Sequence, residues 1–126
     1  MADWLMIELP WPPTVNNYYT VSRGRKILSS RGRAYKKECS WMLAAEKFPK
    51  RKTGKFRIEI ICFPPDKRRR DLDNMLKPIL DSLTEYGAIP DDSDVDEIRI
   101  ARVRVEKPGY VRIGVERIEE IAECKK

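Results

Sequence analysis

Four stretches of the chain alternate between apolar and polar residues, and this period predicts four β-strands. The third stretch changes phase between Ile100 and Ala101, which a β-bulge or burial on both faces would explain. The second is apolar on both faces in its later half, as is typical of a strand at the centre of a sheet. The predicted strands are residues 5–9, 55–63, 97–105 and 110–118.

Two further stretches place apolar residues at the helical period of about 3.6. The first begins near Ser29 or Ser30, and either hydroxyl can cap its N-terminus. The second covers residues 74–86 and ends at Gly87, which suits a left-handed C-cap. Pro78 disfavours helical geometry at the residue before it, so this helix should open with an irregular or kinked turn. The predicted buried stripes are Tyr35, Cys39, Met42 and Ala45 on the first helix and Leu76, Ile79, Leu80 and Leu83 on the second.

The order of these elements, β-α-β-α-β-β, predicts an α+β fold. We expect a single-domain two-layer sandwich, in which a mixed β-sheet of about four strands carries two main helices on one face. Residues 14–26 have no apolar period and are predicted to form a loop or a short hairpin. A chain of 126 residues supports one core, so we assign residues 1–118 to the domain and 119–126 to a polar C-terminal tail.

Composition narrows the possible chemistry. The chain has no histidine, which excludes Ser-His-Asp and Cys-His catalysis and any imidazole metal ligand. Its three cysteines, Cys39, Cys62 and Cys124, are spaced too widely for a zinc site or a disulfide framework and are predicted to be reduced thiols. No signal peptide or membrane-spanning run is apparent, so the expected location is cytoplasmic. A formal charge of +6 favours an anionic partner, and a hard cation bound by oxygen ligands remains possible.

The most informative segment joins a basic run to spaced carboxylates: Lys67-Arg68-Arg69-Arg70-Asp71-Leu72-Asp73-Asn74. Basic groups attract polyanions and carboxylates repel them, so both belong together where a divalent cation lies between acid and phosphate. In an extended segment, Asp71 and Asp73 would point the same way. Asp91 and Asp92 follow one helix-length later. Alternatively, Asp73 or Asn74 caps the helix, and Asp91 and Asp92 are ordinary turn residues.

Neighbouring side chains could contact phosphate or bases. Lys77 lies four positions after Asp73 and could stabilise phosphate charge, or could simply form a surface ion pair. Arginine forks match phosphate geometry, which favours the basic run as a backbone contact. The polar segment before the first helix could stack on opened bases, although an ordinary surface loop has a similar composition. The candidate DNA-binding residues are Lys67, Arg68, Arg69, Arg70, Asn16, Asn17, Tyr18, Arg23 and Arg25.

Together these motifs resemble the RusA family of Holliday junction resolvases over nearly the whole chain. The segment Leu9-Pro10-Trp11-Pro12-Pro13-Thr14-Val15-Asn16-Asn17-Tyr18-Tyr19 is similar to the family's proline–asparagine–tyrosine opening. The family's central signature is matched by residues 68–74, then Lys77, Asp81, Leu83 and Thr84, and then Asp91-Asp92. Pro78 and the tail beyond Ile118 depart from the family pattern but leave every site residue in place.

The resemblance implies a crossover junction endodeoxyribonuclease that resolves four-way DNA junctions by paired symmetric nicks in recombination and repair. It implies a homodimer encoded by a bacterium, phage or prophage, with Mg²⁺ as cofactor and Mn²⁺ as a substitute. We expect neither an organic cofactor nor a membrane partner. By this resemblance Asp71, Asp73 and Asp92 would bind the metal and act in catalysis with Lys77.

Two alternatives differ in class. A restriction-type nuclease would need a PD…ExK core, for which Pro90-Asp91 supplies the first half. The Glu-x-Lys that could complete it is Glu123-Cys124-Lys125, on a polar tail with no predicted strand to carry it. The other alternative is a non-catalytic basic DNA-binding accessory protein, in which the acidic residues are structural.

Overall fold

The computed structural model describes residues 4–118, and the predicted tail 119–126 lies outside the described residues. The strands are β1 Trp4–Pro10, β2 Tyr19–Ser22, β3 Arg25–Leu28, β4 Lys55–Phe63, β5 Val95–Arg102 and β6 Tyr110–Ile118. The helices are α1 Val15–Tyr18, α2 Ser30–Ala45 and α3 Leu76–Tyr86, with 3₁₀ turns at Leu72–Met75 and Asp92–Asp94. No helix in this part of the chain is long and apolar enough to cross a membrane.

The main sheet has the strand order β1-β6-β4-β5 and is mixed in direction, which confirms the predicted α+β class and four-stranded sheet. β6 runs antiparallel to β1 and β4, whereas β4 runs parallel to β5. β4 is therefore an interior strand, as its two-sided apolar pattern predicts. Parallel neighbours need a long crossover, and residues 64–94, which include α3, provide it here. Both predicted acidic segments lie in this crossover.

The β5 strand begins and ends earlier than the predicted range 97–105. Phe56 pairs with Val95 and Arg57 pairs with Glu97, so Asp96 is an extra residue and the strand bulges at its start. The phase change further along has a second cause. The strand ends at residue 102, so the alternating valines beyond it are not part of the sheet.

One hydrophobic core lies between the sheet and the packed pair α2 and α3. The predicted stripe of α3 is confirmed, since its residues are buried or pack against the core. On α2 the prediction is partly wrong: Leu43 continues the buried stripe from Cys39, Met42 is half-buried and Ala45 is exposed. Leu43 follows Cys39 by one helical turn, whereas Ala45 points to another side of the helix. The central core residues are Leu9, Tyr35, Cys39, Leu43, Phe56, Ile58, Ile60, Cys62, Ile79, Leu83, Val111 and Ile113.

The start of α3 is irregular, as Pro78 predicts. A 3₁₀ turn at Leu72–Met75 precedes the helix, which begins at Leu76. Pro78 therefore lies in the first turn, where backbone N–H groups have no intrahelical partner, so its missing N–H costs no helical hydrogen bond. Gly87 ends α3 in the left-handed conformation with φ 101°, also as predicted.

The segment 14–26 folds into one helical turn, α1, followed by the hairpin β2–β3. Thr14 caps α1, because its Oγ1 accepts a hydrogen bond of 3.2 Å from the Asn17 backbone N–H. Arg23 and Gly24 form the hairpin turn with φ values of 53° and 74°. Positive φ at both central residues is what a two-residue hairpin requires. The predicted short hairpin is thus confirmed, with a helical turn in front of it.

Candidate active site

A chain of polar contacts links α1, α3 and the turn after α3. The Tyr18 hydroxyl donates a hydrogen bond of 2.7 Å to Oδ2 of Asp81. The other oxygen, Oδ1, lies 3.1 Å from Nζ of Lys77, one turn earlier on α3. The same ammonium lies 4.0 Å from Oδ2 of Asp92, whose Oδ1 accepts a hydrogen bond of 2.6 Å from the Thr84 hydroxyl. Three separate segments of the sequence therefore form one connected network.

This network has a buried end and a solvent-facing end. Tyr18 is 0% exposed, and its burial, reinforced by the hydrogen bond to Asp81, raises the pKa of its hydroxyl far above the usual value. At the other end, the Lys77 side chain is 50% exposed. Its hydrogen bond to Asp81 raises the pKa of the ammonium, so Lys77 is protonated at neutral pH. A fixed cation therefore faces the solvent beside Asp92.

The two acids after α3 have different surroundings. Asp91 Oδ2 accepts hydrogen bonds from the backbone N–H and the hydroxyl of Ser93, at 2.9 and 2.6 Å. These bonds cap the turn Asp92–Asp94 and lower the pKa of Asp91. Asp91 thus has the ordinary turn role that its position allows. Asp92 instead directs Oδ2 toward Lys77, and this oxygen accepts no hydrogen bond within residues 4–118.

The two acids before α3 are not used as side-chain caps. Asp71 and Met75 occupy the N-cap positions of the 3₁₀ turn and of α3, and neither side chain makes a capping hydrogen bond. Asp71 and Asp73 are both exposed. The backbone is extended at Asp71 but helical from Leu72, so the spacing argument for a shared direction holds only at the first acid. Among residues 4–118, no three acidic or cysteine side chains form a ready-made metal cluster.

The basic run contains one fixed arginine and three exposed side chains. Arg70 Nη2 lies 2.7 Å from Oδ1 of Asp66, and its Nη1 donates to the carbonyl oxygens of Asp66 and Arg68 at 3.2 Å. These contacts fold the loop around the Arg70 guanidinium. Lys67, Arg68 and Arg69 project outward from it and are exposed. Arg70 therefore organises the loop, and the other three residues present positive charge to solvent.

Two clefts flank this loop and share Arg69, Arg70 and Asp71 in their walls. One cleft, of about 480 Å³, lies between the loop and the segment that follows β5. The other, of about 330 Å³, lies between the loop and the segment before α1, where Trp11 and Asn16 line it. The Arg70 guanidinium lies 5.5 Å from the Trp11 ring centroid, which closes the base of this contact. The polar N-terminal segment and the basic run thus border one cleft.

Tyr18 is not available as a DNA contact in this structure, which corrects the sequence prediction. Its side chain is 0% exposed, and its hydroxyl is bonded to Asp81. A ring buried at the junction of α1 and α2 cannot stack on a base without unpacking the core. The other residues predicted in this segment are exposed and stay predicted DNA contacts: Asn16, Asn17, Arg23 and Arg25.

Roles for Asp81, Thr84 and Asp66 were not predicted from the residues alone. Spacing could have found Asp81, because it lies one turn after Lys77 on the same helix, and Lys77 pairs with it rather than with Asp73. Thr84 contacts Asp92 across the end of α3, and no helical spacing rule predicts that contact. Asp66 precedes Arg70 by four residues, but in a loop rather than a helix, so the helical rule does not apply.

Comparisons with known proteins identify the family. The family described as Endodeoxyribonuclease RusA matches residues 10–116. The chain is 37% identical over 109 residues to the crossover junction endodeoxyribonucleases RusA of Enterobacteria phage 82 and of Escherichia coli strain K12, covering 86% of this chain and 91% of each relative. It is 38% identical over 107 residues to the corresponding protein of Enterobacteria phage HK97, covering 85% of this chain and 88% of the relative.

A site that combines carboxylates, a lysine and a basic loop is of the kind expected in a nuclease. The chain belongs to the RusA family of endodeoxyribonucleases. The resemblance predicted from the motifs is confirmed, and so is the prediction of an endonuclease. The relatives come from phages and enterobacteria, as expected for this family.

Proposed function

We propose that this protein is an Mg²⁺-dependent homodimer that resolves Holliday junctions by paired symmetric nicks in DNA recombination and repair. Family membership supports the proposal, since the relatives are named crossover junction endodeoxyribonucleases. The observation that carries the mechanism is the approach of Lys77 to Asp92, whose Nζ and Oδ2 atoms lie 4.0 Å apart although the residues flank opposite ends of α3. Catalytic groups from both sides of the crossover thereby come together.

The carboxylates of Asp71, Asp73 and Asp92 would bind the metal. Hard divalent cations prefer carboxylate oxygens, and these three groups fit that preference in a chain without histidine. Asp71 and Asp73 are exposed without capping bonds, and Asp92 has an oxygen available. The convergence of the three groups on one ion is part of the proposal. When bound, Mg²⁺, or Mn²⁺ in its place, supplies water activation and charge neutralisation at the scissile phosphate.

The basic residues would bind and orient the DNA. Lys77 is half exposed beside Asp92, where its ammonium can stabilise the negative charge that develops on phosphate. Lys67, Arg68 and Arg69 project from the loop and can contact backbone phosphates. Arg70 would contribute mainly by fixing the loop, because Asp66 already binds its guanidinium.

A dimer follows from the symmetry of the substrate. A four-way junction has approximate two-fold symmetry, and its resolution needs two matched nicks. One subunit offers one such site, whereas a two-fold dimer presents two identical sites in related orientations.

A cleavage assay on a synthetic four-way junction tests this proposal. We expect symmetric nicks with Mg²⁺, none with a chelator, and little cutting of a linear duplex of the same sequence. Asp73→Asn should abolish nicking and leave junction binding intact. Cleavage in chelator, equal cleavage of linear duplex, or normal cleavage by Asp73→Asn would contradict the proposal.

The two alternatives predict different results in the same assay. An accessory protein would bind the junction without cutting it under any condition, and membership in an endodeoxyribonuclease family speaks against this outcome. A restriction-type nuclease would cut linear duplex. The Glu123-Cys124-Lys125 segment that such an enzyme would need lies outside the described residues.

A further inference from the structure

We propose that Asp81 is a positioning residue, which keeps Lys77 beside Asp92 but prevents Lys77 from forming a direct ion pair with it. This inference rests on the proposed function, because that function assigns Lys77 and Asp92 to the active site. Asp81 itself would bind neither the metal nor the DNA. Its role would be to leave one oxygen of Asp92 available for a divalent cation.

The two oxygens of Asp81 have separate partners. Oδ2 accepts the hydrogen bond from the buried Tyr18 hydroxyl at 2.7 Å, and Oδ1 lies 3.1 Å from Nζ of Lys77. The Asp81 side chain is only 19% exposed, whereas that of Lys77 is 50% exposed. Because Tyr18 is part of the core, it fixes the carboxylate on one side. Asp81 therefore presents a stationary anion to a flexible lysine.

The distances around Lys77 show which acid binds it. Its Nζ is within hydrogen-bonding distance of Asp81 at 3.1 Å, but its distance to Asp92 Oδ2 is 4.0 Å, beyond a hydrogen bond. Two carboxylates and one ammonium leave this group of three with a net negative charge. Without Asp81 the remaining pair would be neutral, and Lys77 could close on Asp92 and compete with a metal ion.

Thr84 completes the arrangement from the other side. Its hydroxyl donates to Oδ1 of Asp92 at 2.6 Å, so the carboxylate is oriented with Oδ2 toward Lys77. Each acid therefore has one oxygen bound by a hydroxyl from α1 or α3 and the other directed at the ammonium. The hydroxyls of Tyr18 and Thr84 orient the two acids, and the lysine lies between them.

The variant Asp81→Asn tests the inference, because it removes the charge and keeps the shape. In its metal-free crystal structure we expect Lys77 Nζ to move to about 3 Å from Oδ2 of Asp92. Binding of Mn²⁺, followed by the loss of the electron paramagnetic resonance signal of free Mn²⁺, should weaken by about fivefold, as for a partly exposed charge pair worth about 1 kcal/mol.

A double-mutant cycle separates this role from a general effect of charge. In a Lys77→Met background, Asp81→Asn should change the Mn²⁺ affinity by less than about twofold, because no ammonium remains to compete. If Asp81 acted only through its own charge, the weakening would be the same in both backgrounds. Glu85→Gln is the matched control, since it breaks the 3.2 Å ion pair of α3 with Lys36 away from the site.

The outcomes distinguish this inference from the proposed function. Lys77 remaining 4 Å or more from Asp92 in the Asp81→Asn crystal, or an equal loss of Mn²⁺ affinity with and without Lys77, would overturn the positioning role. A wild-type protein that fails to cut a four-way junction with Mg²⁺ would overturn the proposed function. The metal-free position of Lys77 would still decide whether Asp81 positions it.

Discussion

Gly32, in the first turn of α2, packs directly against the backbone carbonyl oxygen of Tyr18. A Cβ atom at Gly32 would overlap that oxygen and would lie 3.1 Å from both the Tyr18 ring and the Leu28 side chain. The Tyr18 carbonyl also accepts hydrogen bonds from the Ser29 backbone and hydroxyl at 2.9 and 3.0 Å. The start of α2 thereby fixes the tyrosine that holds Asp81.

Gly32→Ala should destabilise the protein, because the backbone of α1 cannot move away without breaking these bonds. We expect the free energy of unfolding to fall by about 1–3 kcal/mol, as for other overpacked sites. Urea denaturation measures the change. Arg31→Ala, an exposed change in the same turn, is the control and should stay within about 0.5 kcal/mol of wild type. Equal stability of the two variants would show that this close contact is not a constraint.

Tyr18→Phe should also destabilise the fold, because it removes the hydrogen-bond donor to a partly buried carboxylate. The expected loss in the free energy of unfolding is about 1–3 kcal/mol, the range for a hydrogen bond to a charged group. Tyr19→Phe is the matched control, since the Tyr19 hydroxyl makes no hydrogen bond within the described range and its ring is kept. Losses of similar size in the two variants would contradict a specific role for the bond between Tyr18 and Asp81.

Arg69→Ala and Arg70→Ala should affect different properties. Arg69 is exposed, so its loss should weaken junction binding and flatten the log–log salt dependence by about 0.9 per phosphate contact, with unchanged stability. Arg70 is bound to Asp66, so its loss should lower the free energy of unfolding by roughly 1–2 kcal/mol. Filter binding at several salt concentrations and urea denaturation measure the two effects. The opposite pattern would reverse the roles assigned to these arginines.

Cys39 and Cys62 should be unreactive in the folded protein. Both are buried, and burial raises the pKa of each thiol to about 11. A raised pKa leaves the thiol protonated at pH 8, so reaction with a chromogenic disulfide should be at least about a hundredfold slower than in denaturant. Cys124→Ser provides the background in which only these two thiols are counted. Rapid reaction of either cysteine under native conditions would contradict its burial.

The sheet and the main helices could be predicted from the sequence because their signals are local. The alternation in Lys55–Phe63 and the stripe through Ile79 and Leu83 depend only on which neighbouring residues are apolar. The error at Ala45 arose because α2 offers apolar residues on more than one side near its end. Only packing against the sheet selects Leu43 as the buried residue.

The site was less predictable because its contacts are not local. The bond between Tyr18 and Asp81 joins residues 63 positions apart, and it exists because α1 packs beneath α2 at Gly32. Sequence spacing therefore assigned Tyr18 to the surface. Asp71, Asp73 and Asp92 were chosen by residue type and by family resemblance, and their meeting at one ion stays a prediction.

Anomalous diffraction from crystals grown with Mn²⁺ and a four-way junction tests the proposed metal site most directly. We expect a manganese peak in each subunit, with carboxylate oxygens of Asp71, Asp73 and Asp92 within about 2–2.5 Å. Crystals of Asp73→Asn should show a weaker peak or none. An assembled oligomer on junction DNA with these three carboxylates pointing apart and no manganese between them would contradict the assignment.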